Sequence, residues 1–226
     1  MRREGAGSVP FRNRDEAARR LADRLAEYRG RHPLVLGIPR GAVPMAEIIA
    51  EALGGDLDVV LVHKLGAPGQ PELAIGSVDE GGAIYRGAYV RELGISEEEI
   101  AREARAQLAV LRQRRARYTP VHPPIDPAGR TVIVVDDGIA TGSTMIAALH
   151  AVRARKPEKL IAAAGVAPRE VVELIEKEAD AVVCLETPAL FYAVGQFFEE
   201  FPQVTDEEVM AILQRSRAQS AARGGG

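Results

Sequence analysis

The chain has 226 residues, of which 46% are apolar and 27% charged, with a formal net charge of −3. Such a length and apolar share support a full hydrophobic core, and the slight acidic balance argues against nucleic acid or an anionic membrane surface as partner. No apolar run nears the ~18 residues of a membrane span, and Met1-Arg2-Arg3-Glu4-Gly5 leads into no hydrophobic segment, so the expectation is a cytoplasmic protein without a signal peptide.

Residues 1–13, rich in Gly and Arg, read as an arm. From Asp15 to Tyr28, Ala17, Ala18, Leu21, Ala22 and Leu25 recur at helical spacing. Pro33 to Ile38 is a short apolar run that reads as a buried strand. Pro39-Arg40-Gly41-Ala42-Val43-Pro44 is a turn, and Met45 to Leu53 a helix closed by Gly54-Gly55. Leu57 to His63 reads as a second buried strand, and this βαβ succession implies a parallel sheet. Lys64 to Glu72 is a Gly/Pro loop, with a mobile lid as one reading. Leu73–Val78 and Ala83–Tyr85 suit a hairpin through Asp79-Glu80-Gly81-Gly82.

Ser96 with Glu99 forms a capping box that opens a long helix. Arg112, Arg114, Arg115 and Arg117 at its far end suit the helix dipole and read as a solvated basic end. Pro120 to Pro127 is a linker. Arg130 to Val135 is a strand, Thr144 to Arg155 a helix, Lys159 to Val166 a strand, Arg169 to Lys177 a helix and Ala181 to Leu185 a strand. Asp206 to Arg217 is a terminal helix capped by Thr205 or Asp206, and Ala221 to Gly226 reads as a disordered tail. The single cysteine, Cys184, sits in an apolar strand and reads as a core thiol in a reducing compartment. Glu72 and Glu80 read as solvated acids, with a lid or metal role as the alternative. His32, His122 and His150 show no partner pattern and read as surface residues.

The most informative stretch is Val132-Ile133-Val134-Val135-Asp136-Asp137-Gly138-Ile139-Ala140-Thr141-Gly142-Ser143-Thr144. A β-branched strand reaches two acids, then a Thr/Gly turn opens a helix, which aims backbone N–H groups at one spot. A Walker A loop needs G-x-x-x-x-G-K-[ST], and here Gly138 and Gly142 are too close and no Lys follows. The dinucleotide G-x-G-x-x-G is also absent. Two adjacent carboxylates repel each other and are tolerated where cations or hydroxyl donors meet them. A second candidate anion site is Pro39-Arg40-Gly41. A third is His63-Lys64, read as the C-terminal end of the second core strand, where ligands of open α/β sheets bind. Lys64 is the preferred cation there, against a plain surface lysine.

The 132–144 segment resembles the signature of the type I phosphoribosyltransferases, and the resemblance covers roughly residues 30–190. It implies an α/β fold: a parallel-sheet phosphoribosyltransferase core with flanking helices, a long lid or insert and a small C-terminal hood. In those terms residues 1–30 are an arm and helix, 31–190 the core with an insert near 86–128, and 191–226 the hood, helix and flexible tail. By resemblance, Asp136 and Asp137 hold the ribose hydroxyls of phosphoribosyl pyrophosphate and act, with Lys64, as the catalytic set. Gly138, Ala140, Thr141, Gly142, Ser143 and Thr144 would cradle the 5′-phosphate, and Pro39, Arg40, Gly41 and Lys64 the pyrophosphate. A Mg²⁺ ion would meet Asp136 and Asp137 only through water or substrate. Family members often carry a cis peptide in the pyrophosphate turn.

The reaction implied is transfer of ribose 5-phosphate to a small nitrogenous acceptor with release of pyrophosphate, in a chain open to homo-oligomerisation. The alternatives are a non-catalytic regulator that senses the same ligand and a phosphate-binding hydrolase. Ala140 stands where several purine-salvage members carry a carboxylate, so this loop brings no proton-transfer residue. Glu186-Thr187-Pro188-Ala189 is similar to the tail of 6-oxopurine enzymes, but Ala189 replaces their Asp and Val182 and Val183 replace a stacking aromatic. A hypoxanthine or guanine acceptor is therefore unsupported. Phe191, Phe197, Phe198 and Phe201 read either as core packing or as a hood over the acceptor.

Overall fold

The computed structural model describes residues 11–86, 90 and 93–224. Helix α1 (Arg14–Arg24) begins at Asn13, whose side chain accepts a hydrogen bond from the Glu16 N–H at 3.1 Å. A 3-10 turn continues it to Tyr28. Strand β1 (Leu34–Gly37) is buried throughout, as befits a parallel strand covered on both faces. Helix α2 (Val43–Leu53) follows with Pro44 in its first turn and ends at Gly54. Strand β2 (Asp56–Val59) completes the first βαβ unit.

The expected strand Leu57–His63 is split. β2 is an edge strand with β1 as its neighbour, and the chain leaves the sheet after Val60, whose N–H bonds the Gly37 carbonyl at 3.2 Å. Strand β3 (Val62–Ala67) then belongs to a second, antiparallel sheet with β4 (Gln70–Asp79) and β5 (Ile84–Arg86). The Gly/Pro loop 64–72 is therefore mostly hairpin. Its turn is Pro68-Gly69, with Gly69 at φ +74°, a conformation glycine adopts without cost. The hairpin expected through residues 79–82 is present, closed by the Ala83 N–H donating to Asp79 Oδ1 at 2.9 Å.

Helix α3 (Glu97–Tyr118) opens with the Ser96–Glu99 capping box in both directions. Strand β6 (Thr131–Gly138), helix α4 (Ser143–Arg153), strand β7 (Lys159–Val166), helix α5 (Arg169–Ile175) and strand β8 (Ala181–Glu186) follow. Helix α6 (Asp206–Gly224) is capped by Thr205, whose hydroxyl accepts from Glu208 N–H at 3.1 Å. The tail expected to be disordered from Ala221 is helical through Gly224, and residues 225–226 lie outside the described residues.

The main sheet runs β2-β1-β6-β7-β8, all parallel. Strand side chains alternate between its faces. Val35, Ile133, Val135, Ile161 and Ala163 pack with α1 and α2, while Leu34, Val132, Val134 and Leu160 pack with α4 and α5. Fully burying each of these Val, Leu and Ile side chains contributes about 1.5–3 kcal/mol. The second sheet rests on α3 and α4.

Several surface expectations fail for one reason: tertiary partners converge on them. Arg115 donates to Glu80 Oε1 at 2.7 Å and to the Val59 carbonyl at 3.2 Å, so neither Arg115 nor Glu80 is a solvated charge. Arg112 and Arg117 are exposed, as expected of a solvated basic end, with Arg117 meeting Asp206 at 3.1 Å. His122 is 5% exposed and lies 4.0 Å from Asp58, and His150 bonds Glu178 at 2.8 Å. The side chain of Glu72 lies outside the described residues. No described helix is long and apolar enough to cross a membrane.

Candidate active site

β1 and β6 are neighbours in the sheet, yet their connections leave on opposite faces, β1 into α2 and β6 into α4. The carboxyl ends of such a strand pair flank a crevice, the usual ligand position of an open α/β sheet. The turn after β1 and the turn after β6 therefore share one place. A methyl group added to Gly41 would overlap Asp137 Oδ2, so the backbone of the first turn packs directly on the second acid of β6. The Pro39–Arg40 peptide in that turn is cis.

Alternation along β6 separates the two acids. Asp137 follows the face of Val135 and meets α1, where Arg14 Nε donates to its Oδ2 at 2.9 Å. Asp136 follows the face of Val134, is half-buried, and accepts the Asp137 N–H on Oδ1 at 2.9 Å. Burial pushes the Asp136 carboxyl well above the usual range, and the neighbouring Asp137 charge adds to it. Burial also raises Asp137, while the Arg14 guanidinium pulls it back down. Burial thus opposes ionisation at both acids, and Arg14 is the compensating cation at Asp137.

Beyond the acids, the Ile139 N–H bonds the Val166 carbonyl at 2.8 Å, and Ala140 and Thr141 are exposed. Gly142, at φ +81°, turns the chain into α4 with no side-chain cap on the helix, and Thr141 Oγ1 lies 3.2 Å from Ser143 Oγ. Backbone donors of residues 143 and 144 and the two hydroxyls share one corner, a suitable setting for a phosphate. Gly138 is the last strand residue, and a methyl there would overlap Val194 from the C-terminal segment. The aromatic residues after it pack among themselves: Phe197 and Phe198 are buried, and Phe198 stacks on Phe201 at 4.9 Å. Leu190 and Tyr192 stand exposed near them.

The structure brings together Gly41, Asp136, Asp137 and Gly138, with the 141–144 turn following on. Lys64 stands elsewhere than expected. It lies on β3 in the second sheet, paired with Ser77, and lines a cavity of about 450 Å³ with α3 residues Glu99, Arg102 and Glu103. The apolar run that suggested one long strand bends out of the main sheet before reaching it. Arg14 is the participant that the sequence reading missed. A signal was available, since Arg14 falls on the apolar stripe with Ala18, Leu21 and Leu25, and a cation at a helix N-terminus runs against the dipole.

A profile of the phosphoribosyl transferase domain matches residues 12–198. The chain belongs to the phosphoribosyl transferase family. It is 42% identical over 215 residues to Mycobacterium tuberculosis proteins (strains CDC 1551 and H37Rv) provisionally named phosphoribosyl transferases, covering 95% of this chain and 48% of theirs. The chain thus spans about half the length of the curated relatives it matches. The crystal structure of TT1426 from Thermus thermophilus is 46% identical, with a TM-score of 0.82 over 91% of this chain and 98% of that one. For a phosphoribosyl transferase family member, the strand–acid–acid–turn–helix unit at 132–144 is the part that stands in the crevice.

Proposed function

We propose that this chain is a phosphoribosyltransferase unit that takes phosphoribosyl pyrophosphate with Mg²⁺ at the β1/β6 crevice and transfers ribose 5-phosphate to a small nitrogenous acceptor. The observation that carries the reading is the packing of Gly41 against Asp137, which joins the two turns at one point. In this reading the ribose hydroxyls donate to Asp136 and Asp137. The N–H groups and hydroxyls of residues 141–144 hold the 5′-phosphate. Arg40 and the Gly41 N–H take the pyrophosphate. Lys64, on β3 four residues beyond Val60 and away from the two turns, enters this reading only as the further pyrophosphate cation that the family resemblance implies.

Among the described residues no third His, Cys, Asp or Glu gathers with the acids to cage a metal ion. Two hard carboxylates and a diphosphate suit Mg²⁺ that arrives with the donor and keeps its waters. Bound there, Mg²⁺ would neutralise charge on the departing pyrophosphate. The chain's own contribution is to orient the ribose and both phosphate ends, so that the C1–oxygen bond breaks under electrostatic stabilisation of the leaving group. Ala140 offers no proton acceptor, which favours an acceptor nitrogen that is nucleophilic once oriented.

Calorimetry with phosphoribosyl pyrophosphate and Mg²⁺ tests the donor half. Absence of heat, or equal binding by Asp137→Asn, would sink it. A screen of purines, pyrimidines and other amines for pyrophosphate release tests the acceptor half. A rise in the donor KM for Lys64→Ala at unchanged stability would place Lys64 at the pyrophosphate, and no rise would remove it.

A further inference from the structure

Arg14 lies far in sequence from every motif in the chain, yet its guanidinium touches two segments besides its own helix and stands beside a third at Gly41. Nε donates to Asp137 Oδ2 at 2.9 Å. Nη1 donates to the Pro202 carbonyl at 2.6 Å, in the C-terminal segment. The guanidinium carbon sits 3.7 Å from the centre of the Phe201 ring. Nη2 lies 3.2 Å from the point where a methyl on Gly41 would stand. The arginine is only 8% exposed.

A buried ion pair is a poor stabiliser, because desolvating both charges offsets most of their attraction. Stability alone is thus a weak reason for a guanidinium at this place, since apolar residues of similar volume commonly replace buried ion pairs without loss. Orientation is a better one. Asp137 stands at the end of a strand, beside a second carboxylate that repels it. A planar fork anchored on Pro202 and on the Phe201 face has few rotamers left, so it fixes the carboxylate it holds.

We propose that Arg14 is the positioning residue of Asp137: by tying that carboxylate to the C-terminal segment at Phe201–Pro202, it sets the acid for the ribose of the donor. This rests on the phosphoribosyl reading of the crevice and adds a residue to it from the N-terminal helix. Arg14 touches no substrate atom and acts only through Asp137. Its effect therefore falls on the ribose part of the donor and spares the pyrophosphate part, which Arg40 and Gly41 take.

The test is calorimetry on the full chain, with ribose 5-phosphate and with inorganic pyrophosphate plus Mg²⁺ as separate probes, beside a thermal denaturation of each variant. Arg14→Gln is expected to weaken ribose 5-phosphate binding by about 10-fold and to leave pyrophosphate within about 3-fold, the loss typical of a misplaced charge-assisted hydrogen bond. Arg14→Lys keeps the charge but cannot serve Asp137 and Pro202 together, so it loses about 3-fold on ribose 5-phosphate alone. It carries the test if Arg14→Gln does not fold. Equal losses on both probes, or no loss on ribose 5-phosphate in either variant, overturn the positioning role. A wild-type chain that binds neither probe overturns the phosphoribosyl reading itself, and with it the role of Arg14, so the two failures are told apart by the wild type.

Discussion

Arg14 and Arg115 each come from a helix to meet an aspartate of the parallel sheet, Asp137 on β6 and Asp58 on β2. Asp58 is 2% exposed and accepts the Val59 and Ile125 N–H groups at 2.7 and 2.8 Å, with His122 at 4.0 Å. Its arginine is shared with Glu80 and the Val59 carbonyl, and leaves Nη1 buried without a hydrogen bond, 3.5 Å from Asp58. These contacts clamp the connection between α3 and β6 onto the sheet edge. Asp137 lies instead where two turns meet at the switch in strand connections. The same residue pair is a clamp where other protein groups surround it, and part of the proposed donor site where it borders a crevice.

The comparison breaks most visibly at Arg115. Arg115→Met leaves Asp58 and Glu80 without their cation and should cost about 3 kcal/mol in urea denaturation, while the folded fraction keeps its donor affinity. Burial holds the Asp58 carboxyl above its usual range, and Arg115 pulls it down. A raised acid pKa means that the folded state binds more protons, so stability falls as pH rises through that window. Loss of Arg115 raises the pKa further, and the deficit of Arg115→Met should therefore be larger at pH 7 than at pH 4. A pH-independent deficit would remove Asp58 from the clamp.

At the other pair the expected loss is in binding. Asp137→Asn should weaken donor binding by about 100-fold in calorimetry, the upper range for one charge-assisted hydrogen bond. Gly41→Ala should weaken it by about 10-fold, because a methyl overlapping Asp137 Oδ2 must displace that carboxylate by about 1 Å, a shift at which such sites lose activity steeply. Phe201→Leu removes the face under Arg14 and should lower stability by about 1 kcal/mol, the smallest effect of the set. A larger binding loss in Phe201→Leu than in Gly41→Ala would reverse the assignment of Arg14 as the weaker, indirect contributor.

Much of this architecture was legible from local pattern. The β-branched run of β6, the acids after it, the Ser96–Glu99 box and the hairpin at residues 79–82 all depend on spacings of two to four residues. The Pro39–Gly41 turn and the 138–144 loop were placed on the right elements for the same reason. The second sheet was not legible, because the Gly/Pro density of residues 64–72 signals a loop whether or not the flanks pair. Lys64 was assigned to a strand end on the strength of an apolar run that continues, unbroken in composition, across the exit from the sheet. The fate of Cys184 was only partly legible: it sits half-buried on β8, where burial pushes its thiol up to about 11.

The sequence by itself determined the chemistry on offer at residues 132–144, since a strand, two acids and an uncapped helix start are set by neighbours along the chain. The tertiary structure alone decided which partners that chemistry has. Arg14 reaches Asp137 across 123 residues, and Arg115 reaches Glu80 across 35. Strand order, which no local periodicity encodes, puts β1 beside β6 and sends their connections to opposite faces. That placement turns two separate turns into one crevice and an arginine on the first helix into part of its wall.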